Sequence, residues 1–417
     1  MGSEMCIRDR IDDWFGKYLR NAPDEELTFT YAKDNYTMFY SICNIYGKGN
    51  SGWYKFLKAK GFSDEKLTKI RNVAQEQGRI KHRKYSKEQI DDWFENDRGD
   101  LRHFVGIYVL AHYRNRPSDV ALLADAPHHE ARVLRLKNGK IVCAIQIAKE
   151  GGIPKRDIDK MAKGYKPRGN IIPDMMVKHH YAKGFARLKG YRVVRIATHP
   201  DAMDMGLGSR ALELLIHEAD KENFDWVGSG FGASEELIRF WIRNGFAPVH
   251  LSPSRNPVSG EYTAIVVKPI SKKAQEIVKK ANDEFRIRLT EWLGDTHKDL
   301  EPEIARWLFE TPFGESVDYP LNITEVQKKR LEMFVGKVLT YDTVLDAVKP
   351  IVKLYFLDGW MKPYLDERQI HLLIYRVLQS HTWEETAKLI NRSPMFTMIE
   401  VRDIIRGLWY YYKHVIK

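Results

Sequence analysis

Hydrophobic positions follow two different periods along this chain, and the change of period divides it. Between residues 131 and 267, short apolar runs of strand length alternate with amphipathic segments of helical length. Val133–Leu136, Ile141–Ala148 and Arg192–Thr198 predict strands, and Asn-Gly within Lys137–Lys140 predicts a hairpin turn between the first two. From residue 271 onward, apolar residues recur at helical spacing. We therefore expect an α/β region followed by an all-helical region.

The second half of the α/β region predicts a loop and helix after the third strand, then a strand, a helix and a closing pair of strands. These elements are Gly208–Asp220, Trp226–Ser229, Ser234–Asn244, Phe246–Leu251 and Tyr262–Val267. Ser234 is the expected N-cap of its helix, and Gly245 is the expected terminator. The order predicts a mixed sheet with helices packed on it.

Helices are also predicted on either side of this region. Upstream, Ser63–Gln77 and Asp97–Tyr113 have helical spacing, and residues 11–95 read as mixed short helices. Downstream, the predicted helices are 274–292, 324–338, 342–356, 367–379, 382–390 and 399–415. The domains expected are 11–95, 96–270 and 271–417, with a linker near Pro269–Lys273. Residues 1–10 have no period and are set aside as a possible non-native scar.

Composition narrows the class of protein. The chain has 417 residues, of which 43% are hydrophobic and 29% are charged, as in globular proteins. Cys6, Cys43 and Cys143 lie far apart, which argues against a disulfide framework or a zinc site and favours a reducing, cytoplasmic compartment. No apolar run reaches the length of about 18 residues that spans a membrane, and we expect no membrane partner.

Positive charge is concentrated in one stretch. The chain has a formal net charge of +11, and Lys149–Arg195 alone holds 13 Lys and Arg against four acidic residues. This stretch mixes Gly, Pro and His with the charges and lacks a clean helical period, so it predicts a basic loop region that binds a phosphate backbone. Lys66–Lys87 is a second, shorter basic run.

The stretch Val194–Leu212 (VRIATHPDAMDMGLGSRAL) predicts a strand, a glycine-containing loop and a helix. Gly206 and Gly208 stand where the helix begins, so main-chain N–H groups and the positive end of the helix dipole can approach a diphosphate. A Walker A motif is excluded because no Gly-Lys-Ser/Thr follows, and a dinucleotide fingerprint is excluded because the third glycine is absent.

Four ordered segments resemble the RNA cytidine acetyltransferase family, whose catalytic domain is a Gcn5-related N-acetyltransferase (GNAT) domain. The glycine loop resembles the acetyl-CoA loop of that domain. Three further segments, AHYRNRPSDVALLADAP (111–127), RIATHP (195–200) and GASEELIRFWIRNGF (232–246), are similar to family motifs. The resemblance spans about residues 101–268, and the helical tail is similar to the family's tRNA-binding region. It implies a GNAT mixed sheet with flanking helices, followed by an all-helical C-terminal domain.

The resemblance implies acetyl-CoA as co-substrate and RNA as acceptor, with N4-acetylcytidine as product. The expected RNA is tRNA, at the anticodon wobble cytidine of elongator tRNA(Met). The implied cofactor-binding residues are Ile196, Ala197, Thr198, Met203, Asp204, Met205, Gly206, Leu207, Gly208, Ser209, Glu236 and Arg243.

Catalysis at cytosine N4 requires proton removal and charge stabilisation. His112 is the implied general base, with His199 as the alternative. Arg195 is implied to stabilise charge, although an ion pair with Asp201 is an alternative interpretation. Glu236 would also be ordinary in the first turn of a helix, as a capping residue. No metal site is expected.

The basic stretch supplies the expected RNA contacts. Lys160, Lys163, Lys166 and Arg168 are candidates for binding phosphates, and Tyr165, Tyr181 and Phe185 are candidates for stacking on bases.

Two departures from the family pattern leave alternatives open. The first loop position, usually Gln or Arg, is Met203, and no segment matches the family's upstream ATP-driven module, so ATP dependence is not supported. The alternatives are a protein or small-amine N-acetyltransferase, and a catalytically inactive RNA-binding module. The basic stretch and helical tail favour an RNA acceptor over a protein or small amine.

Overall fold

The computed structural model describes residues 55–67, 81–85, 98–111, 123, 126–136, 139–319, 323–359 and 362–414. These residues form two compact units. The first contains the described residues up to 230, together with 243–246 and 265–278. The second contains 231–242, 247–264 and the described residues from 279 onward.

Seven strands are present among the described residues. They are β1 (Lys81–Tyr85), β2 (His129–Arg135), β3 (Ile141–Gly151), β4 (Lys189–Thr198), β5 (Trp226–Gly232), β6 (Ala247–Leu251) and β7 (Thr263–Pro269). In the first unit the strand order is β1-β2-β3-β4-β5-β7. Pairing is antiparallel from β1 to β4 and parallel between β4 and β5, so the sheet is mixed.

Helices cover both faces of this sheet. They are α1 (Arg98–Ala111), α2 (Lys155–Met161), α3 (Ile171–His180) and α4 (Leu207–Lys221). Helix α1 packs Phe104 and Ile107 into a core with Ala144 of β3 and Ala197 of β4. Side chains alternate along β3, so Glu150 lies on the same face as Ala144, and Glu150 bonds the first turn of α3. Helices α1 and α3 therefore share one face, and α4 covers the other.

The second unit is largely helical. Its helices are α5 (Glu235–Arg243, of which 235–242 lie in this unit), α6 (Lys272–Trp292, from 279), α7 (Pro302–Leu308), α8 (Glu325–Val335), α9 (Leu345–Leu357), α10 (Glu367–Leu372), α11 (Trp383–Leu389) and α12 (Pro394–Tyr412), with a π-helix at Leu373–Leu378. Arg286 is fully buried in α6 and donates to the main-chain carbonyls of Phe356 and Asp358 at 2.8 Å each. This contact ties α6 to the end of α9.

The predicted α/β and helical organisation is confirmed, with boundaries that shift by a few residues. Ser234 caps α5, as the sequence predicts, because its Oγ accepts from the Leu237 amide at 3.4 Å. Ser63 likewise accepts from the Lys66 amide at 3.2 Å. Residues 1–54 and the Asn138 turn position lie outside the described residues.

Two predictions from the sequence are wrong. Lys149–Arg195 is not a loop region, because it holds the end of β3, both α2 and α3, and most of β4. Lys81–Tyr85 is a strand paired with β2 rather than part of a helical segment. The helix Pro302–Leu308 was not predicted.

Candidate acetyl-transfer site

A bulge in β4 determines which side chains share a face of the sheet. Gln146 of β3 pairs with Arg195, and Ile147 pairs with Val193, so Val194 is an extra residue without a partner on β3. Two residues lie between Arg192 and Arg195, and regular alternation would place these two arginines on opposite faces. The bulge places both arginines on the face covered by α1 and α3.

Strand β4 also parts from β5 near this bulge. The parallel register with β5 covers Gly190–Val193, whereas the antiparallel register with β3 continues to Thr198. The buried Ser229 marks the fork, because its hydroxyl donates to the Val193 carbonyl at 2.9 Å. Beyond Val193 the register of β4 with β5 ends, so main-chain groups of the distal part of β4 line a gap between the two strands.

The glycine loop follows β4 and leads into α4. Gly206 is the N-cap of α4 with a φ of 73°, so glycine at this position avoids the strain that a side chain would cause. Asp204 also has a left-handed φ of 59°. Met203, Asp204, Met205 and Gly206 are exposed. Since a glycine N-cap supplies no capping side chain, the first-turn amides at Leu207, Gly208 and Ser209 face the loop as donors.

A buried ion-pair network fixes α4 to the sheet. The guanidinium of Arg132 in β2 is fully buried, and its Nε lies 2.9 and 3.0 Å from the two carboxylate oxygens of Glu218 in α4. Arg132 also bonds Glu130 at 2.6 Å, and Glu130 pairs with Lys149. The removal of Glu218 would leave part of a buried charge uncompensated, at a cost of about 3–5 kcal/mol. The network therefore holds the helix that presents the glycine loop.

Polar side chains form a patch on the opposite face, between α1 and α3. We call His129, Gln146, Glu150, Arg192 and Arg195 the sheet-face polar cluster. The Gln146 amide nitrogen lies 3.0 Å from His129 Nδ1, and Arg192 Nε donates to Glu150 Oε1 at 2.5 Å. Four of the five residues come in these two pairs, on neighbouring positions of β2, β3 and β4.

Burial changes the protonation of this cluster. Desolvation, with the nearby charges of His128 and Arg192, lowers the pKa of His129 to about 4. His129 is therefore neutral at pH 7, and its Nδ1 accepts from Gln146. Desolvation raises the pKa of Glu150, while Arg192 opposes this shift.

Arg195 contacts α1. Its guanidinium carbon lies 5.9 Å from the centre of the Tyr108 ring, a cation–π distance. Burial raises the pKa of the Tyr108 phenol, chiefly through desolvation, so the hydroxyl stays protonated. The carboxylate of Asp201, the alternative partner considered for Arg195, lies 3.7 Å from His199 Nδ1 and is mostly exposed.

Cys143 is a further ionisable group on β3. It is fully buried, and desolvation raises the pKa of its thiol to about 12. A protonated, buried thiol is a poor nucleophile.

The structure brings together many of the residues predicted from the sequence. Ile196, Ala197 and Thr198 lie at the distal end of β4, and Met203–Ser209 forms the loop and first turn of α4. His199 caps the short turn Pro200–Ala202, where its Nδ1 accepts from the Asp201 amide at 3.3 Å. His112 lies outside the described residues.

Glu236 and Arg243 lie in α5, and their cofactor role stays a prediction. Glu236 is exposed in the first turn of that helix, where bonds from its own amide and from the Ser234 hydroxyl lower the pKa of its carboxyl. This geometry is that of a capping residue. Arg243 is half-buried in the last turn.

The predicted RNA contacts lie together on α2 and the segment that follows it. Lys160, Lys163, Lys166 and Arg168 are all exposed, and Lys160 pairs with Asp157 at 3.2 Å. Tyr165 and Tyr181 are 50% and 72% exposed, which suits stacking on bases. The stacking prediction for Phe185 is wrong, because that ring is fully buried against Trp226, with ring centres 5.1 Å apart.

Sequence reasoning missed His129, Gln146, Glu150 and Arg192. Polar residues inside apolar strands are the signal that could have found them. Their common face could not be found, because it depends on the extra residue at Val194.

Neither a metal-holding group nor a membrane-spanning helix is found among the described residues. Over that part of the chain, no three His, Cys, Asp or Glu side chains are grouped so as to hold a metal ion. None of the described helices is both long enough and apolar enough to cross a membrane.

Comparison with known proteins identifies relatives of this arrangement. Residues 103–219 and 216–271 match the family model described as GNAT acetyltransferase 2. The tRNA(Met) cytidine acetyltransferase TmcA of Thermococcus kodakarensis is 85% identical over 327 residues, 78% of this chain and 40% of that protein. The Pyrococcus furiosus protein of the same name is 84% identical over 328 residues, 79% of this chain and 40% of that protein.

More distant relatives carry the same description. The Methanopyrus kandleri protein is 54% identical over 331 residues, which is 79% of this chain and 38% of that protein. The chain therefore spans about two fifths of the length of these relatives.

Proposed function

Since this chain carries a GNAT acetyltransferase domain and is related to the tRNA(Met) cytidine acetyltransferases, we propose that it transfers the acetyl group of acetyl-CoA to N4 of a cytidine in tRNA. The proposed target is the anticodon wobble cytidine of elongator tRNA(Met), and the proposed compartment is the cytoplasm. The observation that carries the proposal is the strand–loop–helix from β4 to α4, with its fork at Ser229 and its left-handed Gly206.

The residues present fit a CoA diphosphate. The loop Met203–Gly206 is exposed, and the amides at the start of the 15-residue helix α4 meet it under the positive end of the helix dipole. Met203 stands where family members usually have Gln or Arg, so main-chain donors carry the diphosphate contact. Bound acetyl-CoA would supply the thioester whose acetyl group is transferred.

Residues of this chain would orient acetyl-CoA and stabilise the negative charge that develops during transfer. Main-chain groups of Ile196–Thr198, beside the fork, would align the pantetheine arm and stabilise negative charge on the thioester oxygen. Arg195 adds a positive charge on the face where the acceptor base would enter. The predicted base His112, or else His199, would accept the N4 proton as the new bond forms.

The basic surface of α2 and its following segment supports an RNA acceptor. Exposed lysines with the exposed Tyr165 among them combine backbone attraction with base stacking. Tyr181 is a second exposed ring, and Lys183 Nζ lies 5.3 Å from its centre. A base that receives an acetyl group must leave its stack, and an anticodon-loop base does so at low cost.

The test is incubation of the chain with total tRNA and labelled acetyl-CoA, followed by nucleoside mass spectrometry. The proposal requires labelled N4-acetylcytidine, and none with Gly208→Glu. Label in added polyamine or peptide amines, but not in RNA, would support the small-amine or protein acceptor instead. RNA binding without measurable acetyl-CoA binding would support the inactive module.

A further inference from the structure

Arg192 lies on the same sheet face as Arg195. The proposed binding of acetyl-CoA by the glycine loop gives Arg192 no role. We propose that the guanidinium fork of Arg192 reads the O2 and N3 edge of the cytosine that is acetylated. This inference rests on the proposed function, because it assigns a specificity residue to the acceptor site of that reaction.

The position of Arg192 comes from the β4 bulge. Arg192 pairs with Ala148 and Arg195 pairs with Gln146, so the two arginines occupy successive positions on one face of the sheet. Tyr108, near the end of α1, contacts Arg195, and the first turn of α3 contacts Glu150. Arg192 therefore lies on the sheet face between the two helices, beside the group predicted to stabilise charge.

Glu150 holds the guanidinium in a fixed orientation. The Glu150 side chain is fully buried, and its Oε2 accepts from the Ile172 amide at 3.0 Å. Its Oε1 accepts from Arg192 Nε at 2.5 Å, while the Arg192 side chain is 13% exposed. Because the carboxylate engages Nε, the two terminal nitrogens of the guanidinium remain for another planar acceptor.

The charge of the pair indicates the chemistry of that acceptor. The carboxylate of Glu150 compensates the positive charge of Arg192, and the adjacent His129 is neutral at pH 7. A compensated, nearly buried arginine suits an uncharged group with two neighbouring acceptors better than a phosphate. Cytosine presents such a pair at O2 and N3, whereas the N3 of uracil carries a hydrogen and repels a donor.

The other interpretation is a structural ion pair that only anchors α3. Buried pairs of this kind are often close to neutral in their net effect on stability. An anchor would affect folding and would be indifferent to which base is bound, so a measurement of base preference separates the two.

The experiment compares two unreactive RNAs by fluorescence anisotropy with acetyl-CoA present. One is an all-uridine octanucleotide, and the other carries a single central 2-pyrimidinone riboside, which keeps O2 and N3 of cytosine but lacks the amino group. We expect the wild-type chain to prefer the pyrimidinone RNA by at least about fivefold, the lower value for one bidentate contact. Arg192→Lys should reduce the preference below about twofold, because an ammonium keeps the charge beside Glu150 but lacks the fork.

Controls separate folding from recognition. Arg187→Lys, at an exposed position of the same basic stretch, should keep the preference. The double variant Glu150→Gln with Arg192→Gln removes both charges together and should lose the preference while it retains acetyl-CoA affinity. Calorimetry and thermal melting confirm that each variant is folded.

The outcomes are distinct. The role of Arg192 is overturned if the wild-type chain shows no preference between the two RNAs. It is also overturned if Arg192→Lys and the double variant both retain the preference. The octanucleotides are unreactive, so the result does not depend on acetyl transfer. Preference without N4-acetylcytidine formation on tRNA would leave base reading in place and contradict the proposed function.

Discussion

The hydroxyl of Ser229 donates to the main-chain carbonyl of Val193 at 2.9 Å, at the last position in the register of β4 and β5. Ser229 is 4% exposed, so this bond is shielded from water. It satisfies a carbonyl at the point where the two strands begin to separate. The contact therefore links the stability of the sheet to the width of the fork proposed to bind acetyl-CoA.

Ser229→Ala should weaken acetyl-CoA binding. The substitution leaves the Val193 carbonyl without its buried partner, which costs about 1–3 kcal/mol, and frees the strands to change their separation. We expect a loss of affinity of severalfold by calorimetry, with the fold retained. Ser254→Ala, on an exposed part of the chain, is the control and should bind normally. A lower melting temperature with unchanged affinity would limit Ser229 to a role in stability.

Gly208→Glu should abolish acetyl-CoA binding without unfolding the protein. A glutamate in the first turn of α4 suits the helix dipole, so the helix should persist, but its charge would stand against the diphosphate. We expect affinity to fall by more than about tenfold, the effect of 1.4 kcal/mol. Gly208→Ala adds only a methyl group and should bind nearly as well as the wild-type chain. Normal binding by Gly208→Glu would disprove the loop assignment.

Neutralising the basic surface should flatten the salt dependence of RNA binding. Substitution of Lys160, Lys163, Lys166 and Arg168 by Gln removes up to four phosphate contacts, each contributing about 0.7 to the slope for single strands. Lys160 already pairs with Asp157, so we expect a change of about 2 to 3 in that slope. Acetyl-CoA affinity should not change.

The matched control replaces four exposed lysines outside the basic runs and the helical tail by Gln, namely Lys55, Lys58, Lys140 and Lys221. If this control flattens the slope equally, the effect belongs to net charge. If the first variant leaves the slope unchanged, the RNA surface lies elsewhere, and Lys66–Lys87 or the helical tail would be examined next.

His112→Ala and Arg195→Ala should each slow acetyl transfer in single-turnover experiments on RNA-saturated protein. Loss of a general base typically costs about 10²–10⁴-fold in rate. Affinities for RNA and acetyl-CoA should stay near those of the wild-type chain. Arg195→Lys should recover little activity, since an ammonium cannot replace a planar fork. A near-normal rate for His112→Ala would transfer the proton-acceptor role to His199 or to water.

The first unit should become less stable as the pH decreases, because His129 is harder to protonate in the folded protein than in the unfolded chain. The pKa of His129 is about 4 in the folded protein, below its ordinary value of 6.5, so the unfolded chain binds the proton first as the pH decreases. Its contribution is complete above pH 6.5 and is lost between 6.5 and 4, a total of about 3 kcal/mol. The stability advantage of the wild-type chain over His129→Asn should shrink by that amount. A stability difference between the two proteins that does not change with pH would contradict this prediction, as would an NMR titration of His129 near pH 6.5.

The sequence predicts the strand–loop–helix because its signals are local. Apolar alternation, Gly206 and Gly208 lie within a few residues of one another, and the boundaries of α4 differ from the prediction by one residue at each end. Helix α3 was missed because its stabilising contact is not local. Its N-cap, Asn170, makes no side-chain capping bond, and the Ile172 amide bonds instead to Glu150, 22 residues earlier.

The sheet-face polar cluster could not be predicted from local sequence for a similar reason. Periodicity places Arg192 and Arg195 on opposite faces, and only the register with β3 shows otherwise. Likewise, the polar sequence KHRKY of β1 has no alternation of its own and becomes a strand by pairing with β2. In each case a partner distant in sequence decides the local structure.

The extra residue in β4 makes the pairing of the strand as important as its sequence. If Val194 paired with Gln146 in a regular ladder, Arg195 would lie opposite Ile145 and face α4, and Ile196 would move to the face of α1. Deletion of Val194 would instead leave Arg195 opposite Gln146, so every downstream side chain would keep its face. Loss of this one residue is therefore compatible with the site, whereas a substitution that favours the regular ladder would rearrange the whole distal half of the strand.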